Sequence, residues 1–446
     1  MLHLPEGAAF VLDKLTAAGY QAYVVGGCVR DSLLGRIPKD WDVCTSATPE
    51  EMQRVFRGCH VVETGLKHGT LTVVVEHEPY EVTTFRVDGE YTDHRHPDEV
   101  IFVTDVREDL ARRDFTVNAM AYHPDAGVVD AFGGQADLAA RIIRCVGAAQ
   151  TRVDEAALRI LRALRFASVY GFAIEEHTAQ AVHKLKHTLE GVAAERIRVE
   201  LTKLLCGDGA GAILRAYADV LVQVIPQIRP MLGFDQHTKW HSYDVWEHTV
   251  QVVTRVPAQA AVRWAALLHD AGKPACFTMD ADGTGHAWGH QEKSGEIARD
   301  VMAALKMDNA TRDRVLLLTV HHDDEITADT RVLRHALHDL GEEALRQLLW
   351  LQRGDELSKG TLDPVQVNDN FDAVERSLEA LLATHPCVSL KQLAVTGGDL
   401  MAAGFPKGKA MGLCLNQLLS AVLDERLPNE KQALLAEAQR IKEELT

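Results

Sequence analysis

No Cys-x-x-Cys pair occurs among the eight cysteines of the 446-residue chain. Scattered cysteines without that spacing exclude a zinc ribbon and disfavour a disulfide framework, so reduced thiols and a cytoplasmic setting are expected. No apolar run approaches the ~18 residues of a membrane span, and no membrane role is expected. The N-terminal stretch Met1-Leu-His-Leu-Pro-Glu6 lacks the basic and apolar regions of a secretory signal, which points the same way. Internal repeats and low-complexity segments are also missing, which excludes solenoid and fibrous architectures. The length instead suits several globular domains.

Net basic charge is lacking as well: the formal balance is −17. Nucleic-acid binding leans on Lys and Arg, so the chain as a whole is a poor polyanion binder. The distribution restores the option. Arg112, Arg113, Arg141, Arg144, Arg152, Arg159, Arg162 and Arg165 crowd one third of the chain, and Lys184, Lys186, Arg196, Arg198 and Lys203 extend the stripe. An RNA partner held through that stripe, with salt-sensitive binding, is the expectation.

What is present is most concentrated between Tyr23 and Thr45. A short apolar run, Tyr23 to Val25, reads as a buried strand, followed by a Gly26-Gly27 turn, a helix from Cys28 to Leu34 ending at Gly35, and a second strand carrying Asp40 and Asp42. Residues two apart on a strand face one way, so the two carboxylates converge within about 6–7 Å. Such a pair suits a hard divalent cation such as Mg2+. The Gly-Gly turn offers backbone N–H groups to phosphate, and Arg30 can grip a phosphate with two bonds. Together these parts are a minimal kit for phosphoryl or nucleotidyl transfer. A bare Asp-x-Asp is often only a solvated pair; Gly26, Gly27 and Arg30 at strand–turn–helix spacing favour catalysis here. Glu81, on a neighbouring predicted strand, is a candidate third carboxylate.

Around this stretch, residues 5–20 read as a helix, and Thr48-Pro-Glu-Glu51 as a helix start with a capping box. The β-branched runs 71–76 and 80–85 read as a hairpin. Beyond residue 145 strand signals nearly vanish. Helical periodicity covers 154–225 and 240–375, the latter broken by a Gly/Asp/His-rich stretch from Asp280 to His290, and a last helical unit spans 388–446 with turns at Thr396-Gly-Gly-Asp-Leu400 and Gly404-Phe-Pro-Lys-Gly408. Expected joints fall near 146–150, 226–236 and 380–388.

Three further groups carry chemistry. In Arg112-Arg-Asp-Phe-Thr-Val-Asn-Ala119, Arg113 can bind triphosphate, while Asp114 and Asn118, four apart on a predicted helix start, can bind ribose. In Asp154-Glu-Ala-Ala-Leu-Arg159-Ile-Leu-Arg162-Ala-Leu-Arg165, arginines at i, i+3 and i+6 wind along one helix, with Ala157, Leu161 and Leu164 free to pack on another face. Cytosine and adenine share an edge on which an amino donor sits beside a ring-nitrogen acceptor. An acid and an arginine one turn apart can read that edge and reject uracil and guanine. Finally, His248, His269-Asp270, His290 and one of His321 or His322, with Asp355, form a set suited to a second divalent metal. His237, His241 and His286 carry no motif and read as surface or structural.

Gly26-Gly-Cys-Val-Arg-Asp-x-Leu-Leu-Gly35…Asp40-Trp-Asp42, the Arg112–Ala119 motif and the loop Phe85–Pro97 between them resemble the bacterial class II CCA-adding enzymes, which share these motifs with poly(A) polymerases of the DNA polymerase beta superfamily. The resemblance implies an α+β chain: a small mixed-sheet nucleotidyltransferase head (1–147), a helical neck binding RNA and nucleotide (148–230), a phosphohydrolase-like domain named for its His-Asp pair (231–380) and a helical tRNA-binding tail (381–446). It implies CTP and ATP as substrates, tRNA as partner, Asp40 and Asp42 as catalytic Mg2+ ligands, and Gly27, Arg30, Arg113, Asp114, Asn118, Arg159, Arg162 and Arg165 as nucleotide contacts. His248, His269, Asp270 and His290 are the implied ligands of the second metal, and Lys391, Lys407 and Lys409 lie in the tail. The chain departs from the family at one point. The family pattern is Glu-Asp-x-x-Arg, and Ala156 stands where the Asp is expected. Losing a hydrogen bond to a charged group costs about 1.5–3 kcal/mol, roughly ten- to a hundredfold in discrimination. Asp154 or Glu155 reaching the base, Arg159 reading alone, or a specialised variant are the open explanations. Full CCA addition is the leading expectation, ahead of CC-only or A-only addition, poly(A) synthesis, an HD phosphohydrolase acting on RNA ends, or a catalytically weak tRNA-binding protein.

Overall fold

The computed structural model describes residues 2–63, 65–66, 69–89, 100–405 and 408–444. Most of the Phe85–Pro97 loop and Lys407 lie outside the described residues. The chain divides into two compact units, 1–229 with 303–307 and 230–302 with 308–446.

The first unit opens with helix α1 (Glu6–Ala17), which buries Ala8, Val11, Leu12 and Leu15 on one face. A mixed sheet follows, built from β1 (Ala22–Val25), β2 (Val43–Thr45), β3 (His60–Val62), β4 (Thr70–Val75), β5 (Glu78–Thr84), β8 (Ala121–His123) and β9 (Gly127–Val129); β6 (Arg86–Asp88) and β7 (Val100–Phe102) form a separate antiparallel ribbon. The sheet order is β3-β4-β5-β2-β1-β8-β9. Within it only β2 and β5 run parallel, in register Val43 to Val82; β1 pairs antiparallel with β2, Val24 opposite Val43. The predicted hairpin is β4–β5, paired from Thr70–Thr83 to Val75–Glu78. The predicted capping box is present too: Thr48 accepts from the Glu51 N–H and Glu51 from the Thr48 N–H at the start of α3 (Pro49–Val55). Val24, Val43, Leu71, Val73 and Val82 are fully buried and form the sheet's packed centre.

Helix α2 (Gly27–Leu33) leaves β1 through Gly26, whose φ of 78° only glycine adopts without strain. Helices α4 (Val106–Ala111) and α5 (Gly134–Ala140) come before and after strands β8 and β9 in the chain. Past the head the strand signal fades as expected. Helix α6 (Ala149–Glu155) stops at Ala156, where the backbone turns extended (φ −149°, ψ 102°), and α7 (Leu158–Tyr170) restarts and ends on left-handed Gly171. Helix α8 (Glu176–Leu185) packs against α6, and α9 (Ala194–Leu205) against α7, together with the paired two-residue strands Ile142–Ile143 and Ala173–Ile174.

The second unit is helical apart from the paired two-residue strands Thr278–Met279 and Gly285–His286. Among the described residues no helix is long and apolar enough to cross a membrane. The Thr396-Gly-Gly stretch is not the predicted turn. Thr396 caps the helix Gly397–Ala402 through a reciprocal box with Asp399, and that pair of bonds outweighs the low helix propensity of the two glycines.

Candidate active site and a buried histidine centre

Asp40 and Asp42 do not sit on a strand as predicted. They occupy the extended segment entering β2, and the ladder reaches only as far as Asp42, whose carbonyl accepts the Val25 N–H at 2.9 Å. Continuing the parallel β2–β5 register one step back from Val43–Val82 sets Asp42 beside Glu81. The Asp42 carboxyl is pushed up to about 6, first by desolvation and then by the charges of Asp40 and Glu81, with Arg113 acting the other way. Its side chain is nonetheless open to water. The two facts are compatible: protein packs around most of the carboxylate while part of the side chain stays exposed.

The Arg112–Ala119 motif is likewise not a helix start. Phe115 bridges to Cys145 and the Thr116 N–H donates to the Arg144 carbonyl, so the segment turns sharply and closes in one 3-10 turn, Thr116–Asn118. The turn still brings Asn118 Nδ2 within 3.1 Å of Asp114 Oδ1. Asp109, fully buried and given no part by the sequence reading, clamps both arginines: Arg112 at 2.8 Å and Arg113 at 3.3 Å. Its position three and four residues before them was the available signal.

Arg30 bonds Asn118 Oδ1 through Nη1 and Asp31 Oδ1 through Nε at 2.9 Å. Arg162 reaches Asp114 Oδ2 at 2.6 Å. A continuous polar chain therefore runs Asp31–Arg30–Asn118–Asp114–Arg162, linking α2, the motif turn and α7. Desolvation would raise the Asp114 carboxyl, but Arg162, Asn118 and the Phe115 N–H bring it down to about 2. Arg165 pairs with Glu200 of α9 at 2.6 Å. Arg159 is bound by Glu155 Oε2 at 2.5 Å and by the Arg152 carbonyl at 2.6 Å; Glu155 also holds Arg152 at 2.9 Å. The acid accompanying Arg159 is thus Glu155, one position before Ala156.

In the second unit, His248 on the helix Val245–Arg255, His269-Asp270 just past the helix Ala260–Leu268, His290 at the start of the helix His290–Ala304, His322 just past the helix Asn309–Val320, and Asp355 on the helix Glu342–Ser358 meet in the interior. The fourth histidine is His322; His321 faces outward and bonds Asp324 at 2.7 Å. His248 Nε2 lies 3.4 Å from His269 Nε2, and His290 Nε2 lies 3.2 Å from His322 Nε2. Asp270 lies 3.2 Å from His269 and 3.3 Å from His290, and Asp355 lies 2.8 Å from His248. Each ring turns its Nδ1 to a backbone carbonyl: Ser358 at 3.3 Å, Ala266 at 2.9 Å, Ala287 at 2.9 Å and Thr319 at 2.7 Å. Carbonyls only accept, so a neutral ring keeps its proton on Nδ1 and its Nε2 lone pair points inward. Burial lowers the pKa of His269, but Asp270 and Asp355 raise it to about 10, the mark of a centre seeking positive charge.

A cavity of about 330 Å³ opens onto this centre. His241 and His286, read from the sequence as surface or structural, line it with Lys273, Lys359, Trp240 and Trp288. Lys273 lies 2.7 Å from Asp270. His241 packs edge-on against His248, both its ring nitrogens lack a partner, and burial drives its pKa down to about 3.

Three family models match separate stretches of the chain. Residues 22–144 match the family model of the poly A polymerase head domain, 171–231 that of the "Probable RNA and SrmB- binding site of polymerase A", and 290–438 that of tRNA nucleotidyltransferase domain 2. The chain is 34% identical to the CCA-adding enzyme of Oceanobacillus iheyensis over 429 residues, covering 96% of this chain and 95% of that one. It is 34% identical to the CCA-adding enzyme of Lactiplantibacillus plantarum over 442 residues, with 96% and 95% covered. Among solved structures, the Bacillus stearothermophilus CCA-adding enzyme in complex with CTP superposes with a TM-score of 0.70 at 30% identity, covering 99% of this chain and 98% of that one. Matched along almost its whole length, the chain belongs to the bacterial CCA-adding enzymes, the tRNA nucleotidyltransferases that build the 3′-terminal C-C-A of tRNA.

Proposed function

We propose that CCA addition by this chain runs at Asp40 and Asp42 with Mg2+ as the metal, that CTP and ATP bind along the Arg30–Asn118–Asp114–Arg162 chain, and that tRNA is the acceptor. Enzymes of this family are metal-dependent. The observation that carries the assignment is the charge at Asp42. Burial first, and then the charges of Asp40 and Glu81, raise its carboxyl, with Arg113 acting against them, so the acidic cluster gains from a bound divalent ion. When bound, Mg2+ supplies Lewis-acid activation of the 3′-hydroxyl and neutralises the triphosphate.

The remaining work falls to the protein. Gly27, Arg30 and Arg113 bind the phosphates. Asn118 and Asp114 orient the ribose, with Arg162 keeping Asp114 ionised. Arg159 donates to the base edge and Glu155 accepts its amino group, taking over from the acid missing at Ala156; Arg165, braced by Glu200, flanks the base. Incubating tRNA lacking its terminal residues with labelled CTP, ATP and UTP tests this. C and A are incorporated; Asp40→Asn or Asp42→Asn lowers both by about a thousandfold or more while tRNA binding persists. No incorporation by the parent protein overturns the assignment, and UTP incorporation equal to CTP overturns the role of Glu155.

We read the histidine centre as an HD-type metal site on residues 231–380. Two pairs of inward Nε2 atoms, 3.4 and 3.2 Å apart, face buried carboxylates, an arrangement that a shared cation, whether a proton or a metal ion, relieves. His248, His269, Asp270 and Asp355 would hold one divalent ion, with His290 and His322 toward a second position. When bound, such an ion would polarise a phosphate ester, and Lys273, in the cavity lining 2.7 Å from Asp270, would offer a cation to the phosphate, which supports phosphohydrolase action on RNA ends. Metal analysis of the protein against His269→Ala, with release of phosphate from 3′-phosphorylated RNA as readout, tests it; retention of stoichiometric metal by the variant refutes the ligand set. The boundary at 229/230 supports separate neck and HD regions. Lys391 and Lys409 support a tRNA-binding tail over 381–446. The reduced cysteines and the lack of a membrane-length helix among the described residues support a cytoplasmic location.

A further inference from the structure

Helix α7 carries the base-side arginines on its early turns, but its last turn does something else. Tyr170, outside every motif singled out in the sequence, is buried, and its hydroxyl donates to Asp31 Oδ1 at 2.8 Å. The same oxygen accepts from Arg30 Nε at 2.9 Å. The Arg30 guanidinium also lies 4.6 Å from the Tyr170 ring centroid and 5.1 Å from that of Phe166, one turn earlier on α7. The two rings stack, 6.2 Å apart and 24° from parallel. Arg36, in the loop after α2, lies 4.7 Å from the Tyr170 ring centroid. Arg162 and Arg165 lie 5.2 and 4.0 Å from the Phe166 centroid.

Arginine has a long, mobile side chain, and ordering it to grip a phosphate carries an entropic penalty unless the protein orders it beforehand. Arg30 is fixed at three places: Nε by Asp31, Nη1 by Asn118 and its face by two aromatic rings. Two of these depend on Tyr170. Its ring supplies one cation–π surface, and its hydroxyl pins the oxygen that holds Nε. Without the hydroxyl, Asp31 keeps its bond to Arg30 Nε but loses the second contact that fixes its carboxylate.

We propose that Tyr170 is a positioning residue for the incoming nucleoside triphosphate: through Asp31 and by stacking, it preorders Arg30 for the phosphates. The inference rests on the phosphate-binding role assigned to Arg30 above. It also ties the end of the base-reading helix to phosphate capture, so that one helix serves both ends of the nucleotide.

The test is steady-state kinetics of C and A addition by the full chain. The variants are Tyr170→Phe, which keeps the ring and removes the hydroxyl, Tyr170→Leu, which removes both, Arg30→Lys, and the double variant Arg30→Lys/Tyr170→Phe. Tyr170→Phe raises KM for CTP and ATP about three- to tenfold, with kcat within about twofold and KM for tRNA unchanged. Tyr170→Leu raises nucleotide KM further. In the Arg30→Lys background the Phe substitution adds nothing, because the group it positions is gone. A scaffold residue would instead move kcat and the KM values of both substrates together. The proposal is overturned if nucleotide KM does not change in Tyr170→Phe, if KM for tRNA rises in parallel, or if the two substitutions multiply. A silent Arg30→Lys removes the phosphate role of Arg30 and this inference with it; an Arg30→Lys that raises nucleotide KM beside a silent Tyr170→Phe overturns the inference alone. Should Tyr170→Leu fail to fold, the Phe variant and the double-mutant cycle decide.

Discussion

Replacing Arg162 with Met keeps the length of the side chain and removes its charge. Asp114, only 8% exposed, then loses its closest partner, 2.6 Å away. The Asp114 carboxyl sits at about 2 against an ordinary 3.8. About two units at 1.36 kcal/mol each is roughly 2.5 kcal/mol of stabilisation in the ionised state. Breaking a fully desolvated pair costs about 3–5 kcal/mol, but Asp114 keeps the Asn118 amide at 3.1 Å and the Phe115 N–H at 2.8 Å. Arg162 itself is partly solvated. The expected loss is therefore about 1–2 kcal/mol. Because the chain holds two compact units, the quantity to measure is local: the opening free energy of residues 110–119 by hydrogen exchange. The sign with pH follows from the depressed carboxyl. Its contribution is present above the ordinary carboxylate range and lost as pH falls toward 2, so the gap between parent and Arg162→Met stays constant above about pH 5 and narrows below it. In an Asp114→Asn background the Met substitution costs much less. A loss under about 0.5 kcal/mol, or an undiminished loss in the Asp114→Asn background, would refute the pairing argument.

Three further outcomes are expected. Asp42→Asn stabilises the metal-free protein: the raised carboxyl favours its protonated form in the fold, so its charge is destabilising above about pH 6 and costs nothing once the pH is below the ordinary range. Two units give about 3 kcal/mol, reduced to about 1 kcal/mol for a side chain open to water, read by denaturant titration in chelator at pH 7.5 and again at pH 4, where most of the gain is gone. Gly26→Ala forces a side chain into a φ of 78° and sets its Cβ 2.9 Å from Arg113 Nη1; nucleotide KM rises about tenfold and the head loses about 1–2 kcal/mol, measured by kinetics and hydrogen exchange. Removing divalent metal with a chelator lowers the thermal midpoint of the second unit in the parent but not in His269→Ala, and the purified variant, returned to Mg2+, adds C and A at the parental rate.

Much of the head was readable because its signals are local. The β4–β5 hairpin came from β-branched runs around a turn, and the α3 start from Thr48 and Glu51 at capping-box spacing. Where the reading slipped, distant contacts had overruled local preference. Asp40 and Asp42 lie before the strand because the ladder with β1 ends at Asp42. The Thr116–Asn118 turn is 3-10 because Cys145 and Arg144, about thirty residues on, take its hydrogen bonds. The histidine set was visible, but the choice of His322 over His321 depends on how one helix ends. His241 gave no signal, since nothing in sequence marks a ring that borders a cavity. Pairings such as Arg162 with Asp114 and Tyr170 with Asp31 span 48 and 139 positions, beyond any periodicity.

The carbonyls that orient the four imidazoles belong to the main chain, three of them three residues before the histidine they hold. In many metal sites that orienting partner is a carboxylate, which one substitution can delete. Here no single side-chain replacement removes it; only unwinding of a helix end, or of the turn before His290, does. The inward geometry of the four rings is thus inherited from secondary structure, and for the metal site proposed above, occupancy would be a gauge of whether those segments are intact. Under mild denaturant, metal release should track their fraying and precede any change in the head.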